Sequence, residues 1–105
     1  MSQFTSTLER LAATIAARKG ADPSASYTAQ LLADPQRAAK KLGEEAVETA
    51  LAAVSRDKEA IASESADLIY HWLVLLAATG VDLDAVADKL AAREGRSGLD
   101  EKASR

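Results

Sequence analysis

Two clusters of carboxylates are the residues of this sequence whose types and spacing could do chemistry. The first is Glu44, Glu45 and Glu48, and the second is Glu64 and Asp67. Residues three positions apart lie on one face of a helix. Glu45 and Glu48 would therefore point in one direction, and so would Glu64 and Asp67. If the two helices are antiparallel neighbours, these carboxylates converge and repel one another unless a cation lies between them. Such hard oxygen ligands suit Mg²⁺ or Mn²⁺, and the candidate ligands are Glu45, Glu48, Glu64 and Asp67.

The second cluster lies in the most apolar stretch of the chain. Apart from Asp67 and His71, residues 66–76 are apolar on nearly every side, and such a helix is normally buried. Glu64, Asp67 and His71 are spaced by three and four and form a single stripe. Because buried acids need partners or a metal, the pattern favours a site. The simpler interpretation, that the acids of both clusters are solvated surface charges, stays open.

Three further residues lie beside these acids. Lys41 shares the stripe of the first cluster and could hold a phosphate as a point charge. His71 is either a core histidine bonded to a neighbour or a residue that contacts a ligand. Gly43 costs about 1 kcal/mol relative to alanine inside a helix. It is therefore either a tolerated glycine or a point of close approach by another helix or by ligand.

The apolar periodicity predicts an all-α protein, with four to five helices that form a bundle and no competing strand pattern. Asp34 and Asp82 suit helix N-caps, and Gly20 and Gly80 suit helix C-termini. Helices are expected over about residues 4–19, 27–33, 35–54 and 59–79, with a last helix that begins after Asp82. We divide the chain into a helical domain, residues 1–94, and a polar C-terminal tail, residues 95–105.

The composition fits one small domain and argues against several classes of protein. The chain has 105 residues, which leaves no room for a second domain. The net charge of −3 argues against a basic face for nucleic acid, and the absence of cysteine excludes disulfides and thiolate metal sites. The longest uncharged run, residues 68–81, is shorter than the roughly 20 residues of a membrane span. With no signal-peptide pattern, we expect a soluble cytoplasmic protein.

Alanine dominates the apolar residues. The chain contains 24 alanines and four aromatic residues. Because an alanine side chain buries little apolar area, a monomer of this size makes a thin core. We therefore expect a second copy of the chain to complete the bundle as a homodimer.

Two segments of the sequence closely resemble a known enzyme family. Residues 40–53 (KKLGEEAVETALAA) and 64–86 (ESADLIYHWLVLLAATGVDLDAV) are similar to phosphoribosyl-ATP pyrophosphohydrolases. These belong to the all-α nucleotide pyrophosphohydrolase superfamily, with MazG-type enzymes and dimeric dUTPases. The superfamily pattern, E-x-x-E followed by E-x-x-D, falls on the four candidate ligands. The SYT triplet at residues 26–28 and the tail at residues 97–105 narrow the resemblance to the histidine-biosynthesis member.

The resemblance implies Mg²⁺-dependent hydrolysis of the α–β phosphoanhydride of phosphoribosyl-ATP, which yields phosphoribosyl-AMP and pyrophosphate. It also implies a homodimer. Glu44 and Glu45 are then the candidate catalytic residues, with Glu44 placed to align or deprotonate the attacking water. The candidate substrate contacts are Lys41, His71 and Tyr27.

Two other functions remain open from the sequence. The chain could be a house-cleaning NTP or dNTP pyrophosphohydrolase with the same metal site and a different pocket for the base or sugar. It could also be a non-catalytic helical dimerisation module whose acids are surface charges.

Overall fold

The computed structural model describes residues 2–95 and 98–103, and the regular structure in these ranges is all helical. The predicted all-α class is confirmed. The five expected helices are present, and a sixth short helix lies within the segment predicted as a tail. Residues 96, 97, 104 and 105 of that tail lie outside the described residues. The helices are α1 (Gln3–Ala17), α2 (Tyr27–Leu32), α3 (Pro35–Ser55), α4 (Lys58–Thr79), α5 (Leu83–Arg93) and α6 (Gly98–Ala103).

Capping residues set the helix boundaries close to where the sequence predicts them. The Ser26 side chain accepts a hydrogen bond from the backbone of Ala29 and so begins α2. Asp34 caps α3, with Pro35 at its first position. Gly80 ends α4 at a φ of 75°, in the left-handed region that glycine adopts without a steric cost. These local signals explain why the boundaries follow from sequence.

A two-residue connection turns α3 back onto α4. Arg56 takes a left-handed φ of 62°, and the Asp57 side chain then caps α4 by accepting from the backbone N–H groups of Glu59 and Ala60. The short connection and the extensive contact between the two helices make them an antiparallel hairpin. They form the most extensive helix pair of the molecule. The pairing brings the two acidic segments of the sequence face to face.

The core is small. Its buried apolar residues come from α1, α2, α3 and α4, with α4 in contact with the other three helices. Although α4 is apolar on nearly every side, only three of its residues are buried, His71, Leu73 and Val74. The core cluster consists of Ile15, Leu31, Ala38, Leu73 and Val74.

By length and composition alone, α4 could cross a membrane. Its most apolar window of 18 residues has a mean hydropathy of 1.2. One such helix is weak support for a membrane span, because core helices of soluble proteins have the same length and composition. Here α4 packs against α1, α2 and α3.

Candidate active site

Three of the four predicted metal ligands come together between α3 and α4. Glu45, Glu48 and Glu64 each offer one carboxylate oxygen, and these oxygens all lie within 4.8 Å of one another. Glu45 and Glu48 are one turn apart on α3, and Glu64 faces them from α4. The hairpin therefore produces the convergence that the spacing of the acids predicts.

Two oxygens in this cluster are buried without a partner. The Oε2 atoms of Glu45 and Glu64 accept no hydrogen bond within the described structure. Glu45 as a whole is only 8% exposed. A buried charged group without a partner is costly, so the arrangement points to a missing cationic partner.

The electrostatics of the cluster agree with this. Burial raises the pKa of the Glu45 carboxyl, and the adjacent Glu48 carboxyl raises it further, against an opposing effect of His71. Burial and Glu48 likewise raise the pKa of Glu64. In both cases the negative charge of Asp67 adds to the effect. Close carboxylates cannot all ionise at low cost unless a cation neutralises them.

Asp67, the fourth predicted ligand, lies beside the cluster rather than within the group of three. Its side chain is exposed, one helical turn beyond Glu64. It is close enough to raise the pKa values of Glu45 and Glu64.

The chemistry of this donor set fits a hard divalent cation. Mg²⁺ is held by a few carboxylates and keeps several waters for itself. Two orphaned buried oxygens, from Glu45 and Glu64, and a partly open side at Glu48 match that requirement. The residues present therefore fit Mg²⁺.

Thr49 ties the two sides of the cluster together, and the sequence analysis missed it. Its hydroxyl lies 2.8 Å from the carbonyl oxygen of Glu45 and 3.1 Å from that of Glu64. Thr49 follows Glu45 by four positions, so the spacing alone put it on the acidic stripe. The link across to α4 depends on the hairpin and leaves no sign in the sequence.

His71 is bonded on both sides within the protein. Its Nδ1 donates to the carbonyl oxygen of Asp67 at 2.8 Å, and its Nε2 lies 3.4 Å from the Tyr27 hydroxyl. Because a carbonyl only accepts, the proton of a neutral ring is on Nδ1, and Tyr27 donates to Nε2. His71 is buried, with 7% of its surface exposed. Its ring also packs edge to face against that of Tyr70, with 4.9 Å between the ring centroids. His71 thus joins α2 to α4 and lies behind Tyr27, which is itself 42% exposed.

Lys41 and Glu44 form an ion pair at the mouth of the site. The Lys41 Nζ lies 3.4 Å from Glu44 Oε1. This contact, with the negative charges around it, raises the pKa of Lys41. Glu44 is exposed and lies outside the buried cluster, whereas its neighbour Glu45 points inward. Apart from its chain neighbours and the nearby backbone of α3, no described atom lies within 4 Å of the position that a Cβ on Gly43 would take, which favours the tolerated glycine.

Arg37 is a second residue that the sequence analysis did not single out as a site residue. Its guanidinium carbon lies 5.8 Å from the centre of the Tyr27 ring. Its Nη1 donates to Gln30 Oε1 at 3.4 Å. The signal for it was its spacing, because Arg37 precedes Lys41 by four positions and so lies on the same face of α3.

Two apolar grooves do not include the clustered acids among their lining residues. One, of about 320 Å³, runs between α1 and α4 and includes Phe4, Leu8 and Ile69. Another, of about 300 Å³, lies between α1, α4 and α5 and includes Trp72 and Leu90. Their apolar linings do not suit a triphosphate, so they are not part of the candidate active site.

Comparison with known proteins identifies the family of the chain. A family model described as phosphoribosyl-ATP pyrophosphohydrolase matches residues 8–94. A protein named phosphoribosyl-ATP pyrophosphatase from a Caulobacter species is 71% identical over 105 residues, covering 100% of this chain and 98% of the relative. A protein of the same name from Parvibaculum lavamentivorans is 60% identical over 106 residues, covering 100% of this chain and 97% of the relative. On these matches, the chain belongs to the phosphoribosyl-ATP pyrophosphohydrolase family.

Proposed function

We propose that this protein hydrolyses the α–β phosphoanhydride of phosphoribosyl-ATP in histidine biosynthesis, releasing phosphoribosyl-AMP and pyrophosphate. The observation that carries the proposal is the convergence of Glu45, Glu48 and Glu64, with two buried oxygens that lack a partner. A triphosphate is highly anionic, so an acidic pocket accepts it only together with cations. Membership of the family supplies the substrate.

The metal ligands in this proposal are Glu45, Glu48, Glu64 and Asp67, which would hold Mg²⁺, with Mn²⁺ as a possible substitute. When bound, the cation supplies positive charge that neutralises phosphate oxygens and lowers the pKa of water. Glu45 and Glu64 are held in place by the backbone link through Thr49. Their fixed positions keep the phosphates in one orientation, which lowers the entropic part of the barrier.

Glu44 is the proposed acceptor of the proton that the attacking water loses. Hydrolysis adds one water across the α–β P–O–P linkage, so one proton must leave that water. Glu44 is exposed next to the buried Glu45, where it can orient the water and accept its proton. The ion pair to Lys41 at 3.4 Å holds the Glu44 carboxylate in position. Glu45, the buried neighbour of Glu44 in the carboxylate cluster, is the second proposed catalytic residue.

Three residues form the substrate side of the site. Lys41, half-buried on the same stripe, would bind a phosphate oxygen as a point charge. Tyr27, which is 42% exposed, lies close enough to Lys41 to contribute to its raised pKa. His71 contacts the Tyr27 hydroxyl from behind at 3.4 Å, so it would act on the substrate through Tyr27.

The test is to incubate the protein with phosphoribosyl-ATP and Mg²⁺ and to identify the products by mass. Phosphoribosyl-AMP and pyrophosphate are expected, with turnover lost in Glu48→Gln. A panel of dNTPs distinguishes the alternative of a house-cleaning pyrophosphohydrolase. If the dNTPs are turned over more efficiently than phosphoribosyl-ATP, the proposed substrate is wrong. If no nucleotide is hydrolysed, a non-catalytic dimerisation module becomes the better interpretation.

A homodimer is part of the proposal. Three large apolar side chains lie on the outer side of α3, about 180–240° around the helix from Glu45. They are Val47, Leu51 and Val54, which are 59%, 64% and 81% exposed. A small protein rarely leaves such an apolar stripe exposed to water. The small core and the incomplete burial of the apolar helix α4 likewise favour packing against a partner. A second copy of the chain supplies it by twofold symmetry.

Light scattering at micromolar concentration tests the dimer. We expect twice the chain mass for the wild type and a monomer for Leu51→Glu, because a charge in an apolar interface is left without a partner. Ala13→Glu, which adds the same charge at an exposed position of α1, is the control and should remain dimeric. A monomer mass for the wild type contradicts this part of the proposal.

The cellular setting follows from the same function. A soluble enzyme that acts on a small nucleotide belongs in the cytoplasm, with its substrate. We propose no nucleic-acid and no membrane partner, in keeping with the net charge of −3.

A further inference from the structure

Arg37 is a cation that the proposed mechanism does not use, and α2 holds it in place. The Tyr27 ring lies under its guanidinium at 5.8 Å, and Gln30 accepts a hydrogen bond from its Nη1. Among the described residues, no carboxylate forms an ion pair with Arg37. A guanidinium has five N–H donors. The bond to Gln30 uses one, and the others remain available to a ligand.

Helix stability does not explain this arginine. Arg37 lies in the first turn of α3, where its backbone N–H donates to the Asp34 cap at 3.2 Å. A positive side chain is unfavourable there, because the positive end of the helix dipole is at the N-terminus. An anion bound by Arg37 reverses that sign, since it interacts favourably with both the guanidinium and the dipole.

The position of Arg37 relative to the acids sets which anion it meets. Arg37, Lys41 and Glu48 lie on one stripe of α3, with spacings of four and seven. Eight residues separate Arg37 from Glu45, which is about 12 Å along the helix axis. That distance exceeds the span of a triphosphate chain that is anchored at the acids. Lys41 lies between the two and is the cation nearer to the triphosphate.

We propose that Arg37 binds the 5′-phosphate of the phosphoribosyl group, and so makes the site prefer phosphoribosyl-ATP to ATP. This inference rests on the proposed function, because it assumes that the triphosphate lies at the carboxylate cluster. The substrate has two anionic ends with the adenine and two riboses between them, and the stripe has two cationic positions at different distances from the acids. Arginine can bind a phosphate through two parallel N–H donors, and Tyr27 and Gln30 hold it in advance. Tyr27 and Gln30 are therefore positioning residues for Arg37.

The experiment compares Arg37→Met with the wild type on two ligands. ATP lacks the phosphoribosyl group and serves as a competitive inhibitor of phosphoribosyl-ATP hydrolysis. In the variant we expect the KM for phosphoribosyl-ATP to rise by about tenfold to a hundredfold, the loss of a charged hydrogen bond. The kcat should stay within about twofold, because the contact is remote from the reacting phosphate. The Ki of ATP should not change.

Two further variants complete the test. Arg37→Lys keeps the charge without the planar donor pair and should recover part of the KM. Arg10→Met removes the same charge from an exposed position on α1 and should behave as the wild type. If ATP does not inhibit the wild type, the test rests on the KM for phosphoribosyl-ATP in Arg37→Met, Arg37→Lys and Arg10→Met.

Three results would overturn the inference. One is an Arg37→Met enzyme with the KM of the wild type. Another is an equal loss for phosphoribosyl-ATP and ATP, which would place Arg37 on the triphosphate instead. The third is an equal loss in Arg10→Met, which would indicate a nonspecific effect of net charge. A wild type that does not hydrolyse phosphoribosyl-ATP contradicts the proposed function itself, and the two failures are thus distinct.

Discussion

The hydroxyl of Thr49 on α3 lies 3.1 Å from the backbone carbonyl oxygen of Glu64 on α4. The same hydroxyl donates to the carbonyl oxygen of Glu45 on its own helix at 2.8 Å. One proton thus serves two carbonyls, and both belong to residues whose carboxylates converge in the cluster. The register of the α3–α4 hairpin and the geometry of the site are therefore linked through one side chain.

Replacement of Thr49 by valine removes this link at nearly constant shape. We expect Thr49→Val to lower the free energy of unfolding by about 1 kcal/mol, the typical contribution of one hydrogen bond. Thr49→Ser keeps the hydroxyl and should lower the free energy of unfolding by less. Urea melts of the metal-free proteins measure both. An equal loss in the two variants would mean that the methyl group, not the hydroxyl, stabilises the hairpin.

Asp67→Asn separates a metal ligand from a structural acid. Since even outer-shell partners of metal sites contribute 10–100-fold, we expect turnover to fall by about a hundredfold or more. The metal-free variant should be at least as stable as the wild type, because one of four mutually repelling carboxylates is gone. His71 contacts the backbone carbonyl of Asp67, and no ion pair joins their side chains among the described residues.

Urea melts in EDTA and pyrophosphate release in Mg²⁺ measure the two effects of this substitution. Asp82→Asn, the same change at the cap of α5, is a matched control that should leave both stability and turnover close to those of the wild type, because asparagine caps a helix about as well as aspartate. Full turnover together with lower stability in Asp67→Asn would contradict the ligand role.

Mg²⁺ should raise the melting temperature of the wild type. A cation that binds only the folded state stabilises by mass action, by about 1.4 kcal/mol at ten times its Kd. Glu64→Gln should abolish the rise, because it removes one of the converging carboxylates. Differential scanning fluorimetry of EDTA-treated protein, with and without millimolar Mg²⁺, measures this shift. Identical melting temperatures in the two conditions would contradict a metal site.

The raised pKa values of Glu45 and Glu64 give the metal-free protein a characteristic pH dependence. The folded state holds these protons more tightly than the unfolded chain, so it binds more protons between the two pKa values. The free energy of unfolding contributed by the pair is therefore greatest below the ordinary carboxyl pKa of about 4.3 and is lost as pH rises through the raised values. Bound Mg²⁺ should act in the opposite direction, since it requires ionised ligands.

Glu45→Gln isolates this effect from the titration of the other acids. Its stability relative to the wild type, measured by urea melts in EDTA, should increase as the pH is raised from about 4 to 7. Glu59→Gln, an exposed acid in the first turn of α4, is the control. A stability difference for Glu45→Gln that does not vary with pH would contradict the raised pKa.

Gly43→Ala should stabilise the protein by about 1 kcal/mol, the difference in helix propensity between the two residues. The position is exposed, and the added Cβ meets no described atom within 4 Å beyond its chain neighbours and the nearby backbone of α3. Ala46→Gly, three residues on along the exposed side of α3, should lose a similar amount. Thermal melts compare them. Loss of turnover or of the dimer in Gly43→Ala, at unchanged or greater stability, would instead reveal close approach by substrate or by the partner.

Much of the fold could be predicted because the signals that set it are local. Asp34 with Pro35 begins α3, and Gly80 ends α4, in each case through contacts within a few residues. Likewise, spacing alone placed Glu45 with Glu48 on one helix face, because helical geometry is the same everywhere. The short connection between α3 and α4 folds them into a hairpin, and this brings Glu64 to Glu45 and Glu48.

The sequence by itself determined which elements exist and which acids share a face, but not which neighbour points inward. Glu44 and Glu45 are adjacent and chemically identical, and only packing against α4 buries the second and leaves the first exposed beside Lys41. The same holds for the bond of His71 to Tyr27 across 44 positions of the chain. These relationships depend on how helices are rotated and stacked against one another. Because that arrangement minimises the free energy of the whole core, no short stretch of sequence records it.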